Sequence, residues 1–403
     1  MTLAVELHGT IVGTLEGDAR SFDFVPSSEG MDQFGANSSV LSVAIPLLPR
    51  TRRDHAGRRR NWFAELLPEG LQYDHMLQQG RLRSGDTLGF LARYGRDVAG
   101  AVQMWDPDDP TEPQSPSIRP VTQAEIRGLL EDPTGSPLAN APGTGRSSLG
   151  GVQPKVVLAR TREGWAQALG GYPSTHIVKP QLTGKNASVI FDEEYGSHLT
   201  RRLGLADFET HVEDFDGLAA LVIERYDRVD GQRVHQEDFN QALGASGNEK
   251  YQASRGVVSL QRVADTLTRH CPPEDLVRFA QMVTMAVAIG NLDMHTKNIG
   301  LLHATDGPVR LAPAYDVVPQ AHLDNDGRLA LAVNGTYRHV DIKADDLLAE
   351  FTSWGLRRAT AVIADTLDGL ERAVNEEAPA DRAFPDLQEQ ILAFIGRLRT
   401  STR

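Results

Sequence analysis

The stretch Asn291–Asn298, NLDMHTKN, puts two amides, an aspartate, a histidine and a lysine into eight residues directly after an apolar, helix-like run. Asp293 and Asn298 stand five positions apart, a spacing that lets a carboxylate take a proton from an attacking hydroxyl while an amide oxygen holds a hard cation. Eighteen residues beyond Asn298, past the strand-like IGLL and VRLAP, Asp316 in PAYDVVP offers a second carboxylate. Mg²⁺ takes few ligands from protein, so Asn298, Asp316 and the phosphates of a nucleotide suffice. The plainer alternative makes Asp293 a turn cap and Asp316 an Asx-turn residue. A transition-metal site at Asp293 and His295 would need further ligands, and no His-x-x-x-His or comparable cluster accompanies them.

Further upstream lie groups suited to phosphate. Gly143, Gly145, Gly150 and Gly151 allow close backbone approach to an anion. The loop is not a Walker A motif, because Gly151 and Val152 stand where Lys and Ser/Thr are required and a strand follows. Lys179 ends the apolar strand HIVK, and the acidic helix start DEEYG supplies Glu194 as its expected ion-pair partner. Gly-rich loop, strand, strand ending in Lys, acidic helix, then an Asp–Asn loop is the order in which protein kinases hold and transfer a phosphoryl group.

These groups need elements to hold them. Alternating runs near the N-terminus, LAVELHGTIVGTL and SVLSVAIPLL, predict strands, and NWFAELLPEGLQYDHMLQQ predicts a helix. The Pro- and Asp-rich segment 106–120 reads as a linker. After it come the strands VVLAR, THIVKP and GLAALVIERYDR; from about Asp238 helical periodicity dominates through DFNQALGA, SLQRVADTLTRH, PEDLVRFAQMVTMAVAIG and DLQEQILAFIGRLR. The reading is an α+β protein with an accessory unit at 1–105, a linker at 106–120, a β-rich lobe at 121–225 and a helical lobe at 226–403.

At 403 residues the chain is long enough for more than one packed unit, and 40% hydrophobic with 24% charged residues is an ordinary globular composition. No signal-peptide pattern or bilayer-length apolar stretch is present in the sequence, and the single cysteine, Cys271, excludes an internal disulfide, so a cytoplasmic protein without membrane contact is expected. A net charge of −13 disfavours broad contact with nucleic acid. The local exception is RTRRDHAGRRR, Arg50–Arg60, with six arginines, read as a solvated loop with DNA or partner contact as the alternative.

With these segments in order, the chain resembles the HipA family of bacterial Ser/Thr kinase toxins. NWFAELLPEG, RYGRDVAGAV, SSLGGVQPK, THIVKP, VIERYDR, HQEDFNQALG, NLDMHTKN and LAPAYDVVP carry the resemblance over nearly the whole chain. It implies a bilobed protein-kinase-like core and an N-terminal accessory domain. It implies ATP contacts from Gly150, Gly151, Val152, Gln153, Pro154 and Lys155, and phosphates held by Lys179. A hinge at Glu224, Arg225 and Tyr226 would flank adenine, with His295, Thr296, Lys297, Asn298, Tyr315 and Asp316 completing the nucleotide and Mg²⁺ site. Asp293 would be the general base on a serine or threonine hydroxyl. Ser148, with Ser147 beside it, matches the loop serine whose autophosphorylation switches the family off. Implied partners are a HipB-like helix-turn-helix antitoxin, which would make most DNA contacts, and a protein substrate such as an aminoacyl-tRNA synthetase. The sequence departs from the best-known relative at Pro154, where an acidic residue is familiar, and at Tyr226, where Phe is. Two other readings are a catalytically silent corepressor scaffold and a kinase acting on a lipid or small-molecule hydroxyl.

Overall fold

The computed structural model describes residues 1–400 apart from 20, 113, 133–136, 141–145, 152 and 306. Val152, Gly143 and Gly145 of the Gly-rich loop therefore lie outside the described residues.

Near the N-terminus, strands Thr2–Leu7, Thr10–Gly17, Phe22–Pro26 and Val102–Trp105 form an antiparallel sheet with Thr2–Leu7 paired to both Thr10–Gly17 and Val102–Trp105. Its inner face, with Leu3, Val5, Leu7, Val12 and Leu15, packs on Trp62 and Phe63 of helix Ala56–Ala64 and on Phe90 and Leu91 of helix Thr87–Tyr94. One expectation fails here and another holds in part. SVLSVAIPLL forms no strand: Ser42 Oγ and the Val43 amide donate instead to the Glu237 carboxylate at 2.6 and 2.9 Å, and Pro46 and Pro49 have no amide hydrogen for a ladder. The run Arg50–Arg60 is solvated as expected at Arg50, Arg52, Arg53 and Arg58, but its second half is helix Ala56–Ala64 rather than loop, and there buried Arg59 makes a two-pronged pair with Asp23 at 2.5 and 2.8 Å.

The second sheet runs Ser117–Pro120, Gly164–Leu169, Val156–Thr161, His176–Pro180, Leu218–Glu224, Thr210–Phe215 in spatial order. Ser117–Pro120 comes from the segment expected to be a linker, which is thus tied to the sheet by pairing with Gly164–Leu169. Helix Val189–Arg202 follows strand His176–Pro180 and packs beneath this sheet.

The helical lobe is organised around Pro273–Ile289, whose last eight residues are all buried. Helices Leu260–His270, Ala359–Glu376 and Leu387–Thr400 pack on it. Gly290 ends it in the left-handed conformation, φ 71°, its N–H returning to the Ala286 carbonyl. That turn delivers the chain straight into Asn291–Asn298, so the most deeply held helix of the lobe carries the candidate catalytic loop on its end. No helix among the described residues is long and apolar enough to cross a membrane.

Candidate active site

A cleft of about 530 Å³ separates the two lobes and draws its walls from every part of the chain. The β-rich lobe contributes Gly150, Gly151, Gln153, Pro154, Lys155 and Lys179; the hinge contributes Glu224 to Asp227; the helical lobe contributes Asp293, His295, Lys297, Asn298, Tyr315 and Asp316.

Lys179 is the buried centre of the cleft. Its ammonium lies 2.6 Å from Glu193 Oε1 and 2.7 Å from Asp316 Oδ1. The expected partner Glu194 is one residue off: successive helical side chains point about 100° apart, and Glu194 faces Arg201 at 3.9 Å. Burial alone would raise the Asp316 pKa, but the Lys179 ammonium brings it down to about 2. Glu193, wholly inside, is pushed above the ordinary carboxylate range by burial despite Lys179. Asp316 has φ 55°, a left-handed conformation uncommon outside Gly and Asn/Asp, and its carboxylate stays partly open to the cleft.

The Asp293 loop is held by its own amides. The Asn291 side chain accepts from the Asp293 N–H at 3.2 Å, and Asn298 Nδ2 donates to the Asp293 carbonyl at 2.9 Å, which leaves Asn298 Oδ1 to offer a cation. Burial and the neighbouring Asp316 raise Asp293 to about 6, while burial lowers His295 to about 4. An aspartate that is ionised near neutrality yet poised to take a proton suits a general base. Tyr315 OH donates to the Lys297 carbonyl at 2.7 Å, and Lys155, lowered to about 8 by burial and by Lys179, donates to the Gly150 carbonyl at 3.2 Å.

Not every residue expected to touch nucleotide turns its side chain to the cleft. The Arg225 guanidinium points away, to Asp227, Ser174 and the Val98 carbonyl. The Thr296 hydroxyl is buried on Asn240 Oδ1. Tyr226 does line the cleft and packs 5.4 Å from Tyr315, its hydroxyl bonded to Gln236. Both loop serines are inward: Ser148 Oγ donates to the Leu66 carbonyl at 2.9 Å and Ser147 Oγ to Asp97 Oδ2 at 3.1 Å.

Sequence reading missed a further set. Glu65 and Glu69, from the accessory domain, lie 2.9 and 3.0 Å from Lys297, and Glu69 also holds Lys250 at 2.8 Å. Asp238, raised to about 7 by burial, lines the same wall. Glu69, by contrast, is brought to about 2 by Lys297 and Lys250 against its burial. The available signals were the segments NWFAELLPEG and HQEDFNQALG, which carry these carboxylates without showing by spacing whom they meet.

The comparisons bear on the fold and the family. The model for the HipA-like C-terminal domain matches residues 147–375, and that for the HipA N-terminal domain matches residues 3–105. The chain belongs to the HipA family. Y4mE of Sinorhizobium fredii is 30% identical, with 93% of this chain and 92% of that protein covered. The serine/threonine-protein kinase toxin HipA of Shewanella oneidensis is 27% identical, covering 99% and 94%. A solved structure of Shewanella oneidensis HipA with HipB and operator DNA superposes with a TM-score of 0.81 at 26% identity, covering 99% and 96% of the two chains. The HipA fold, with its α+β bilobed core, is thus the fold of this chain.

The cleft also fits the nucleotide and cation that a kinase needs. It is walled by Lys155, Lys179, Lys250 and Lys297, a low-pKa aspartate and an asparagine, and polar atoms on its wall, among them Gln153 Nε2, Glu193 Oε2 and His295 Nδ1, are buried with no hydrogen-bond partner among the described residues. Gly151, at φ 106°, holds a conformation that residues with a side chain rarely adopt, and an added Cβ would lie 2.6 Å from Lys155 Nζ, which would have to move aside.

Proposed function

We propose that this HipA-family chain is an ATP- and Mg²⁺-dependent protein serine/threonine kinase that acts as the toxin of a toxin–antitoxin pair. The observation that carries the reading is the convergence of Lys179, Glu193, Asp316, Asn298 and Asp293 on one cleft. Mg²⁺–ATP would supply the transferable phosphoryl group and the cation that neutralises its charge. Lys179 and Lys155 would hold phosphate oxygens, Asn298 and Asp316 the cation, and Tyr226 the adenine side of the hinge. Asp293 would accept the proton of a serine or threonine hydroxyl, a role generally contributing about 10²–10⁴ in rate.

Autophosphorylation at Ser148, with Ser147 as its neighbour, would switch the enzyme off. The Ser148 side chain is wholly buried against the Leu66 carbonyl, a position with no room for a phosphate of roughly −2 charge, so the modified loop would have to leave the cleft. A helix-turn-helix antitoxin related to HipB would be the partner and make most DNA contacts, in keeping with a net charge of −13 and with the relative whose structure was solved with HipB and operator DNA. The substrate would be a translation component such as an aminoacyl-tRNA synthetase, met in the cytoplasm.

Intact-mass analysis after incubation with Mg²⁺–ATP, beside Asp293→Gln, tests the reading. One phosphate mapping to Ser148 or Ser147 in the parent alone is the expected result. No phosphate on a chain that begins unmodified and binds ATP would favour a silent corepressor scaffold instead.

A further inference from the structure

Lys250 and Tyr251 belong to none of the motifs that led to the active site, yet Tyr251 touches the Asp293 carboxylate and Lys250 stands beside it. The Tyr251 hydroxyl donates to Asp293 Oδ1 at 3.3 Å. Its ring stands edge-on to His295, centroids 5.4 Å apart at 78°. Lys250 Nζ sits 5.4 Å from the Tyr251 ring centroid and is fixed by Glu69 of the accessory domain at 2.8 Å, while its carbonyl accepts from Thr296 Oγ1 at 3.3 Å. The turn Gly247–Lys250 that brings both residues here is itself pinned to the accessory domain, the Gly247 amide donating to Glu65 Oε1 at 2.8 Å.

We propose that Tyr251 is a positioning residue for the general base, its hydroxyl orienting the Asp293 carboxylate, and that the accessory domain sets its place through Glu69 and Lys250. The inference rests on the kinase reading and deepens it, because it makes the accessory domain part of the phosphoryl-acceptor side of the site. A rotating carboxylate would present either oxygen, or neither, to an incoming hydroxyl; a donor on Oδ1 leaves Oδ2 as the oxygen that faces the acceptor.

The same contact makes a kinetic signature. Removing the hydroxyl frees the Asp293 carboxylate to rotate, which slows the transfer step and leaves the bound nucleotide where it was.

The test follows phosphate incorporation from Mg²⁺–ATP into the full chain for the parent and Tyr251→Phe, with kcat, the KM for ATP and the ATP affinity measured for both. Tyr251→Phe is expected to lower kcat about three- to tenfold while leaving the KM for ATP and the ATP affinity as in the parent. A kcat equal to the parent's, or a loss that appears in ATP affinity instead, overturns the inference while leaving the kinase reading intact. A parent that takes up no phosphate overturns the kinase reading, and the role given to Tyr251 with it.

Discussion

Lys179 stands between two carboxylates that do different work. Glu193 is enclosed and keeps the ammonium in place; Asp316 is partly open and faces the space proposed for a cation. Lys179→Met therefore removes the proposed phosphate contact and also strands a buried acid. ATP binding is expected to be lost, and unfolding in denaturant to show a loss of about 3–5 kcal/mol at pH 8, the range for breaking a buried pair. The pH dependence has a definite sign. Glu193 already has a raised pKa, and without Lys179 it rises further, so it is neutral at low pH and charged at high pH. The stability deficit of Lys179→Met should shrink at pH 5 relative to pH 8; a deficit that grows on acidification would contradict this account. The lysine itself was legible from its strand, HIVK. Which of two adjacent glutamates meets it was not, because that depends on the rotation of helix Val189–Arg202 about its axis.

Between elements, two glycines set how closely the cleft's parts approach. At Gly196, inside helix Val189–Arg202, an added Cβ would lie 2.1 Å from the Val317 carbonyl, so the absence of a side chain lets the segment carrying Asp316 lie against the helix. Gly196→Ala is expected to cost about 1–3 kcal/mol in chemical denaturation, as overpacking does, and to weaken nucleotide binding by shifting Asp316. At Gly290, in the left-handed conformation, a Cβ would lie 2.7 Å from the Ala321 Cβ. Gly290→Ala is expected to cost at least about 1–2 kcal/mol in the same measurement, with the Asn291–Asn298 loop displaced. The long helices were readable from their apolar period, and Pro273–Ile289 was the plainest of them. Strand Ser117–Pro120 was not, because all four of its residues are exposed and leave no alternation to see. The failed strand SVLSVAIPLL shows the converse: its apolar pattern is real, but Ser42 and Val43 spend their donors on a carboxylate distant in sequence.

Across the whole molecule, the accessory domain is joined to the helical lobe through buried polar groups rather than by apolar packing alone. Glu237 accepts from Ser42, the Val43 amide and Trp62 on one side and bonds His303 on the other. Asp97 of the accessory domain is met by Arg225, Arg228 and Arg233 near the hinge. Burial would raise Asp97, but Arg233, Arg228 and Arg225 hold it well below the usual range, so this seam keeps its charge pattern until the pH falls far below the ordinary carboxylate value. Separating the domains would leave several buried donors and charges without partners, which costs more than the exposed surface alone. The full chain is accordingly expected to unfold in a single transition, tryptophan fluorescence and far-ultraviolet circular dichroism overlaying in denaturant. Two separated transitions would show that the domains fold independently. None of these pairings could be read along the sequence, since their members lie 66 or more residues apart and no local period links them.

The contacts of Glu65 and Glu69 with Lys250 and Lys297 also bear on how such a chain can change over descent. The boundary near residue 105 looks like a natural place for recombination, but the two halves share charges across the catalytic loop. A chimera that takes residues 1–105 from one relative and the rest from another inherits a matched active site only if these four positions travel together. Where they do not, an acid or a lysine is left without its counter-ion beside Asn298, and the hybrid begins with a damaged catalytic loop even though every nucleotide-facing motif is intact.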